Sequence, residues 1–312
     1  MLDDISPLSD EIRSLIELAV REDLGDLPDD DKKAAPRLDR TVAVSIPPDL
    51  LATGRIVARR EGVISGTALM SEILAYYDVR LKSSILISDG NIAKQGAVVA
   101  EISGPAGALL SAERVVLNFL GHLSGIATLT ARYVQAAKLG AADAGKPAIC
   151  DTRKTTPGWR TLEKYAVRCG GGVNHRMGLY DGVMLKDNHL AALRRSGGDH
   201  VSLADITRKV RSQLPGHITL WLEVDTLEQF QEALPGGADI ILLDNMTPRQ
   251  MRQAVVWRDD RKSGVPLLEA SGGVTLENIA TIAATGVDRI SVGALTHSAP
   301  SLDLAMDFIE HA

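Results

Sequence analysis

A β/α barrel in the second half of the chain, behind an α+β first half, is the fold the sequence predicts. Short apolar runs recur after Pro147: PAIC, GVML, TLWLEV, DIILLD, PLLEAS and RISVG. Amphipathic helical patterns separate most of them, over 161–169, 203–213, 227–234, 248–257 and 276–284. Short buried strands alternating with helices give parallel βαβ units, because parallel neighbours need a crossover. Each run also ends on a polar or glycine residue, as the strands of a barrel with one active face do. A doubly wound sheet is the alternative architecture.

The first half is read element by element. Residues 10–24 have helical spacing, with Ile12, Leu15, Ile16 and Ala19 on one face and Ser9 or Asp10 as the cap. The stretch 26–40 is rich in Asp and Pro and predicts an exposed loop. From 41 to 102, β-rich runs (RIVAR, GVISG, AVVAEI) alternate with turn residues, and 89–105 predicts hairpins. A long helix is expected over 112–138, with Gly121 and Gly125 as candidate breaks. Arg114 then falls in its first turn, where a cation opposes the helix dipole and so suggests another use. A plain surface arginine is the competing reading.

Composition excludes several classes. The chain has 312 residues and a net charge of -6, which argues against a general nucleic-acid binder. No apolar run reaches the ~20 residues a membrane helix needs. Cys150 and Cys169 fit no zinc spacing, and the acidic N-terminus is unlike a transit peptide. Two reduced thiols in a cytoplasmic protein are expected.

The chemistry concentrates at the strand ends. Residues 150–189 carry Arg153, Lys154, His175, Arg176 and Lys186, each beside a turn or at the end of an apolar run. The later runs supply Glu223, Asp244 and Glu269. Glu223 alternates with Trp221 and Asp225 onto one face. Buried carboxylates are costly unless paired or bound to a cation. Cations facing carboxylates therefore imply a ligand that is anionic at one end and has a hydroxylated, Mg²⁺-bound group at the other. A structural ring of ion pairs in the barrel core is the bland alternative. The loops at Ser271, Gly272 and Gly273, and at Gly293, suit phosphate binding by backbone amides.

The segments DTRKTTPG, AVRCGGGVNHRMGLYD, LKDNH, LEVDT, LLDNM, LEASGGV and ISVGALTHSAPSLD occur in that order. In them the chain resembles the quinolinate phosphoribosyltransferase (nicotinate-nucleotide diphosphorylase, carboxylating) family, most strongly over 113–303. The loop at 26–40 is longer than the family's. The resemblance implies an N-terminal α/β sandwich (1–125, joined by 297–312) and an open, seven-stranded α/β barrel (126–296). It implies a cytoplasmic homodimer, without nucleic-acid or membrane partners, in which Arg114 reaches the partner's site. The implied reaction joins quinolinate to 5-phosphoribosyl 1-diphosphate with Mg²⁺, in NAD biosynthesis. Arg114, Arg153, His175, Arg176 and Lys186 would hold quinolinate, and Lys154 and Lys186 would also meet the phosphates. Glu223 and Asp244 would bind Mg²⁺ or the ribose hydroxyls, and Ser271, Gly272 and Gly293 the 5-phosphate. A molybdenum-transport-associated paralogue, a nicotinate phosphoribosyltransferase, a Schiff-base aldolase using Lys186 and a non-catalytic binder are the rivals.

Overall fold

The computed structural model describes residues 9–25, 38–141, 145–197, 201–261 and 266–309. Most of the acidic 26–40 loop, residues 26–37, lies outside them. The chain forms two compact units: Met1–Ala131, Thr155–Gly171 and Ser298–Ala312 in the first, Arg132–Lys154 and Gly172–His297 in the second. Relative to the expected domains, the segment 155–171 groups with the first unit.

The first unit opens with α1 (Asp10–Leu24), capped by the Ser9 hydroxyl, with Ile12, Ile16 and Val20 buried at four-residue spacing. Then α2 (Arg40–Ser45) begins where a strand-like stretch is expected, because the Asp39 carboxylate accepts from both Thr41 N and Val42 N at 3.0 Å. Strands β1 (Leu51–Ala58) and β2 (Gly62–Val63) follow, then α3 (Met70–Tyr77). The period in α3 is helical: Met70, Ile73, Leu74 and Tyr77 are buried. Strands β3 (Lys82–Ile85), β4 (Ile92–Ala93) and β5 (Val98–Pro105) complete this part. Strand β4 pairs with β2 and β5 with β1 and β3, so β4 and β5 do not form the expected hairpin.

The long helix α4 (Ala106–Gly140) starts six residues before the expected 112 and runs through both glycines. Arg114 is therefore in its third turn and exposed, and the dipole argument for it does not apply. The glycines serve close approach instead of a break. A Cβ on Gly125 would stand 2.2 Å from the Pro300 carbonyl oxygen, and Gly121 O accepts from Leu302 N at 2.8 Å. Gly→Ala inside a helix ordinarily gains about 1 kcal/mol. Gly125→Ala is expected instead to lose about 2 kcal/mol, because backbone must move to admit the methyl. A urea unfolding midpoint that rises would contradict the close-approach reading.

The second unit follows the βα rhythm. Strand β6 (Ala148–Cys150) precedes α5 (Arg160–Cys169), which belongs to the first unit. Next come β7 (Gly182–Leu185), α6 (Asp187–Gly197), α7 (Leu203–Arg211), β8 (Thr219–Val224), α8 (Leu227–Ala233), β9 (Ile240–Asp244) and α9 (Pro248–Asp259). Last are β10 (Leu267–Ser271), α10 (Ile279–Ala283), β11 (Arg289–Ser291) and α11 (Ala294–His297). The sheet order is β6-β11-β10-β9-β8-β7, all parallel. Pairing of the first strand with the last bends the sheet into a barrel and excludes the doubly wound alternative. Six strands form among the described residues. The seventh is a single parallel bridge, Cys150 to Val173, and the barrel is open between Val173 and β7. Finally β12 (Leu304–Ile309) pairs antiparallel with β1, returning the C-terminal segment to the first unit and giving the sheet order β12-β1-β5-β3. Among the described residues no helix is long and apolar enough to cross a membrane.

Candidate active site

The strand ends converge. A cavity of about 440 Å³ opens in the second unit, and Arg153, Lys154, His175, Arg176, Lys186, Glu223, Asp244 and Ser271 line it. Thr152, at the end of the first apolar run, also lines it, as do Met184, Leu242 and Ser291, which the sequence pattern did not single out. The missed signal was the two-residue period: Met184 alternates with Lys186, and Leu242 with Asp244.

Register explains the contacts. Leu185 is opposite Leu222, so Lys186 follows beside Glu223, and its Nζ lies 2.5 Å from Glu223 Oε2. Ser271 is opposite Asp244 on the neighbouring strand. Glu223 is opposite Leu242, which places Asp244 one pleat further along the same face. Asn245 holds the Asp244 carboxylate through its Nδ2 at 2.7 Å. Asp225, expected on the same face as Glu223, is exposed beyond the strand.

The same cavity is also lined by cations. Arg153 and Lys154 follow β6 and are exposed, and among the described residues neither side chain meets a carboxylate. Arg176 is half-buried and anchored by Nη1 to Gly182 O at 2.8 Å, leaving other N–H groups of its fork for a ligand. Burial, then the neighbouring Arg153 charge, weaken its hold on its proton, with Asp181 opposing both. Clustered like charges are expensive in a free protein and are relieved by an anion.

Beneath the cavity lies a buried network. Glu269, with no exposed surface, accepts from Arg289 Nε at 2.8 Å, from Trp221 Nε1 at 3.3 Å and from the Ser291 hydroxyl. His175 Nε2 stands 3.3 Å from Glu269 Oε1, the oxygen that Ser291 also meets, with the His175 ring stacked on Trp221 at 4.6 Å. Burial alone would raise the Glu269 pKa. The His175, Arg289 and Ser291 partners outweigh it and bring it to about 2 from the usual 4.5. A carboxylate depressed in the folded state stabilises above its unfolded pKa, and that stability disappears as pH falls. About 3 kcal/mol should therefore be lost between pH 4.5 and 2 through this group. Urea denaturation of wild type and Glu269→Gln across that window checks it, since the variant lacks the titration.

Gly272 and Gly293 flank the cavity without lining it. Gly272 has φ +90°, and a Cβ there would meet Asn245 Oδ1 at 2.1 Å, so the turn after β10 requires glycine. A Cβ on Gly293 would stand 3.1 Å from Lys154 Cδ. Arg114 lies in the first unit. Among the described residues no group of three or more His, Cys, Asp or Glu could enclose a metal. An ammonium held against a carboxylate, as Lys186 is, makes a poor amine nucleophile, which disfavours the Schiff-base alternative.

The quinolinate phosphoribosyl transferase models match this chain, the N-terminal domain over residues 39–124 and the C-terminal domain over 126–307. A probable nicotinate-nucleotide pyrophosphorylase (carboxylating) of Bacillus subtilis is 47% identical over 81% of this chain and 82% of its own. The nicotinate-nucleotide pyrophosphorylase of Mycobacterium leprae is 42% identical over 86% of this chain and 91% of its own. Among solved structures, the pyrophosphorylase of Francisella tularensis superposes with a TM-score of 0.82 at 30% identity, covering 99% of both chains.

Proposed function

The chain belongs to the quinolinate phosphoribosyl transferase family, and from that premise we propose that it transfers the phosphoribosyl group of 5-phosphoribosyl 1-diphosphate to quinolinate, releasing diphosphate and carbon dioxide and yielding nicotinate mononucleotide. One observation carries the reading: cations (Arg153, Lys154, Arg176) and carboxylates (Glu223, Asp244) line one cavity. Quinolinate is a planar dianion suited to arginine forks. The ribosyl donor brings phosphates for the lysines and a carbon that becomes cationic.

The steps follow from charge. The C1–O bond of the donor breaks and its electron pair leaves with diphosphate, towards Lys154 and Lys186. Glu223 and Asp244 stabilise the positive charge at C1, a preorganised effect made in the transition state. Arg153 and Arg176 hold quinolinate by its carboxylates so that the ring-nitrogen lone pair points at C1, which removes the entropy cost of encounter. The new N–C1 bond makes the ring cationic. The bond to the adjacent carboxylate then breaks, carbon dioxide leaves, and the electron pair stays on the ring carbon, which takes up a proton. Ser271 and the turns at Gly272 and Gly293 are assigned to the 5-phosphate.

Magnesium fits as a group brought with the donor. Mg²⁺ takes one or two carboxylates and completes its shell with phosphates and water, which suits Asp244 and Glu223 on adjacent strands. Bound there it would neutralise diphosphate charge.

Incubation with carboxyl-labelled quinolinate, the ribosyl donor and Mg²⁺ tests the proposal. Labelled carbon dioxide and nicotinate mononucleotide are expected in equal amounts, and ligand binding without turnover would overturn it. A homodimer with shared sites, Arg114 reaching the partner's barrel, belongs to the same proposal. Arg114→Ala and Glu223→Ala chains, each inactive alone, should regain about half of wild-type activity as verified heterodimers, since each mixed dimer keeps one intact site of two, and about a quarter when equal amounts re-pair at random. No recovery would contradict a shared site.

A further inference from the structure

Glu269 is fully buried on the barrel's inner face, yet it does not line the cavity. Its two oxygens face four donors from separate segments: Arg289 and Ser291 on β11, Trp221 on β8, and His175. The first three are satisfied within the barrel wall. His175, which like Ser291 is also part of the cavity lining, differs in standing next to Arg176. Its Nδ1 accepts the backbone N–H of Arg176 at 2.7 Å. An accepting nitrogen carries a lone pair, so in the neutral ring the proton sits on Nε2, the atom that stands 3.3 Å from Glu269 Oε1. His175 N in turn donates to Asp151 Oδ1 at 2.9 Å.

We propose that Glu269 is a positioning residue for the acceptor subsite: it fixes His175 in one tautomer, flat against Trp221, and through His175 Nδ1 sets the backbone from which the Arg176 guanidinium enters the cavity. This rests on the assignment of Arg176 to the carboxylates of quinolinate. Only a carboxylate meets the demand. A glutamine in its place has one accepting and one donating end, so either His175 and Ser291 or Arg289 and Trp221 would face an N–H.

The test uses Glu269→Gln, with Arg289→Gln as a control that removes the main ion-pair partner and keeps the contact to His175. Long-range ¹⁵N–¹H spectra of ¹⁵N-histidine-labelled protein, with His175 assigned by its loss in His175→Gln, read the tautomer directly. Wild type and Arg289→Gln should both show a protonated Nε2 and a bare Nδ1, and Glu269→Gln a mixture. KM for quinolinate should rise about tenfold in Glu269→Gln, as displaced binding groups do, with KM for the ribosyl donor within about twofold. If Glu269→Gln fails to fold with Arg289 left unpaired, the double variant Glu269→Gln/Arg289→Gln removes both charges and should show the same spectrum and the same KM shift. An unchanged His175 tautomer in the folded variant, or equal rises in both KM values, would overturn the proposal. If wild type does not consume quinolinate, the functional reading fails, while the spectra still decide whether Glu269 controls His175.

Discussion

Glu223→Gln is expected to lower kcat about a thousandfold while leaving both KM values within a few-fold, because its charge is needed where C1 becomes cationic and not where substrates first bind. The exchange keeps the shape of the side chain and its place on β8, so position and charge are separated. It also leaves Lys186 without the carboxylate that lies 2.5 Å away. An ammonium released in this way is drawn to the departing diphosphate, which lowers the donor's KM if it changes it at all. Lys186→Met should cost less in kcat. The two substitutions should not add when combined, since they remove partners of one contact. Steady-state kinetics with each substrate varied in turn read the split. A variant whose kcat holds while KM climbs would make Glu223 a ground-state binding group.

The barrel wall was legible because strands of four to six apolar residues have few other uses and because alternation assigns faces. Lys186, Glu223, Asp244 and Ser271 all meet at the cavity as their strand-end positions require. What failed to show was information carried by neighbours remote in sequence. The pairing of Glu269 with His175 depends on β10 and the loop before β7 coming together, which no local pattern encodes. Gly121 and Gly125 look like breaks because a sequence cannot display the chain segment near Pro300 that needs their missing side chains. Helix α3 hid among β-rich runs, since Tyr76 and Tyr77 suit a strand as well as a buried helix face. The start of α4 was missed because Gly104 and Pro105 punctuate the chain just ahead of it, whereas Pro105 closes β5 and the helix begins at the next residue.

Arg176→Ala should raise KM for quinolinate about a hundredfold, the worth of one charge-assisted bidentate contact, with KM for the ribosyl donor nearly unchanged. The same substitution should not destabilise the free protein. Arg176 is half-buried and suffers both its burial and the repulsion of Arg153, so its removal relieves a cost that Asp181 offsets in part and a bound anion offsets further. Residues kept at a stability cost for the sake of a ligand behave this way. The expected signature is therefore a pair of opposite shifts: Tm of the free protein level or higher, and the rise in Tm on adding quinolinate largely lost. Lysine at the same position restores a positive charge but not the fork. It should recover the smaller part of the affinity, because a point charge cannot match a planar carboxylate at two atoms. Equal KM increases for both substrates would remove Arg176 from the acceptor and return it to a general electrostatic role. A drop in the Tm of the free protein would instead give it a structural one, through the bond to Gly182 O.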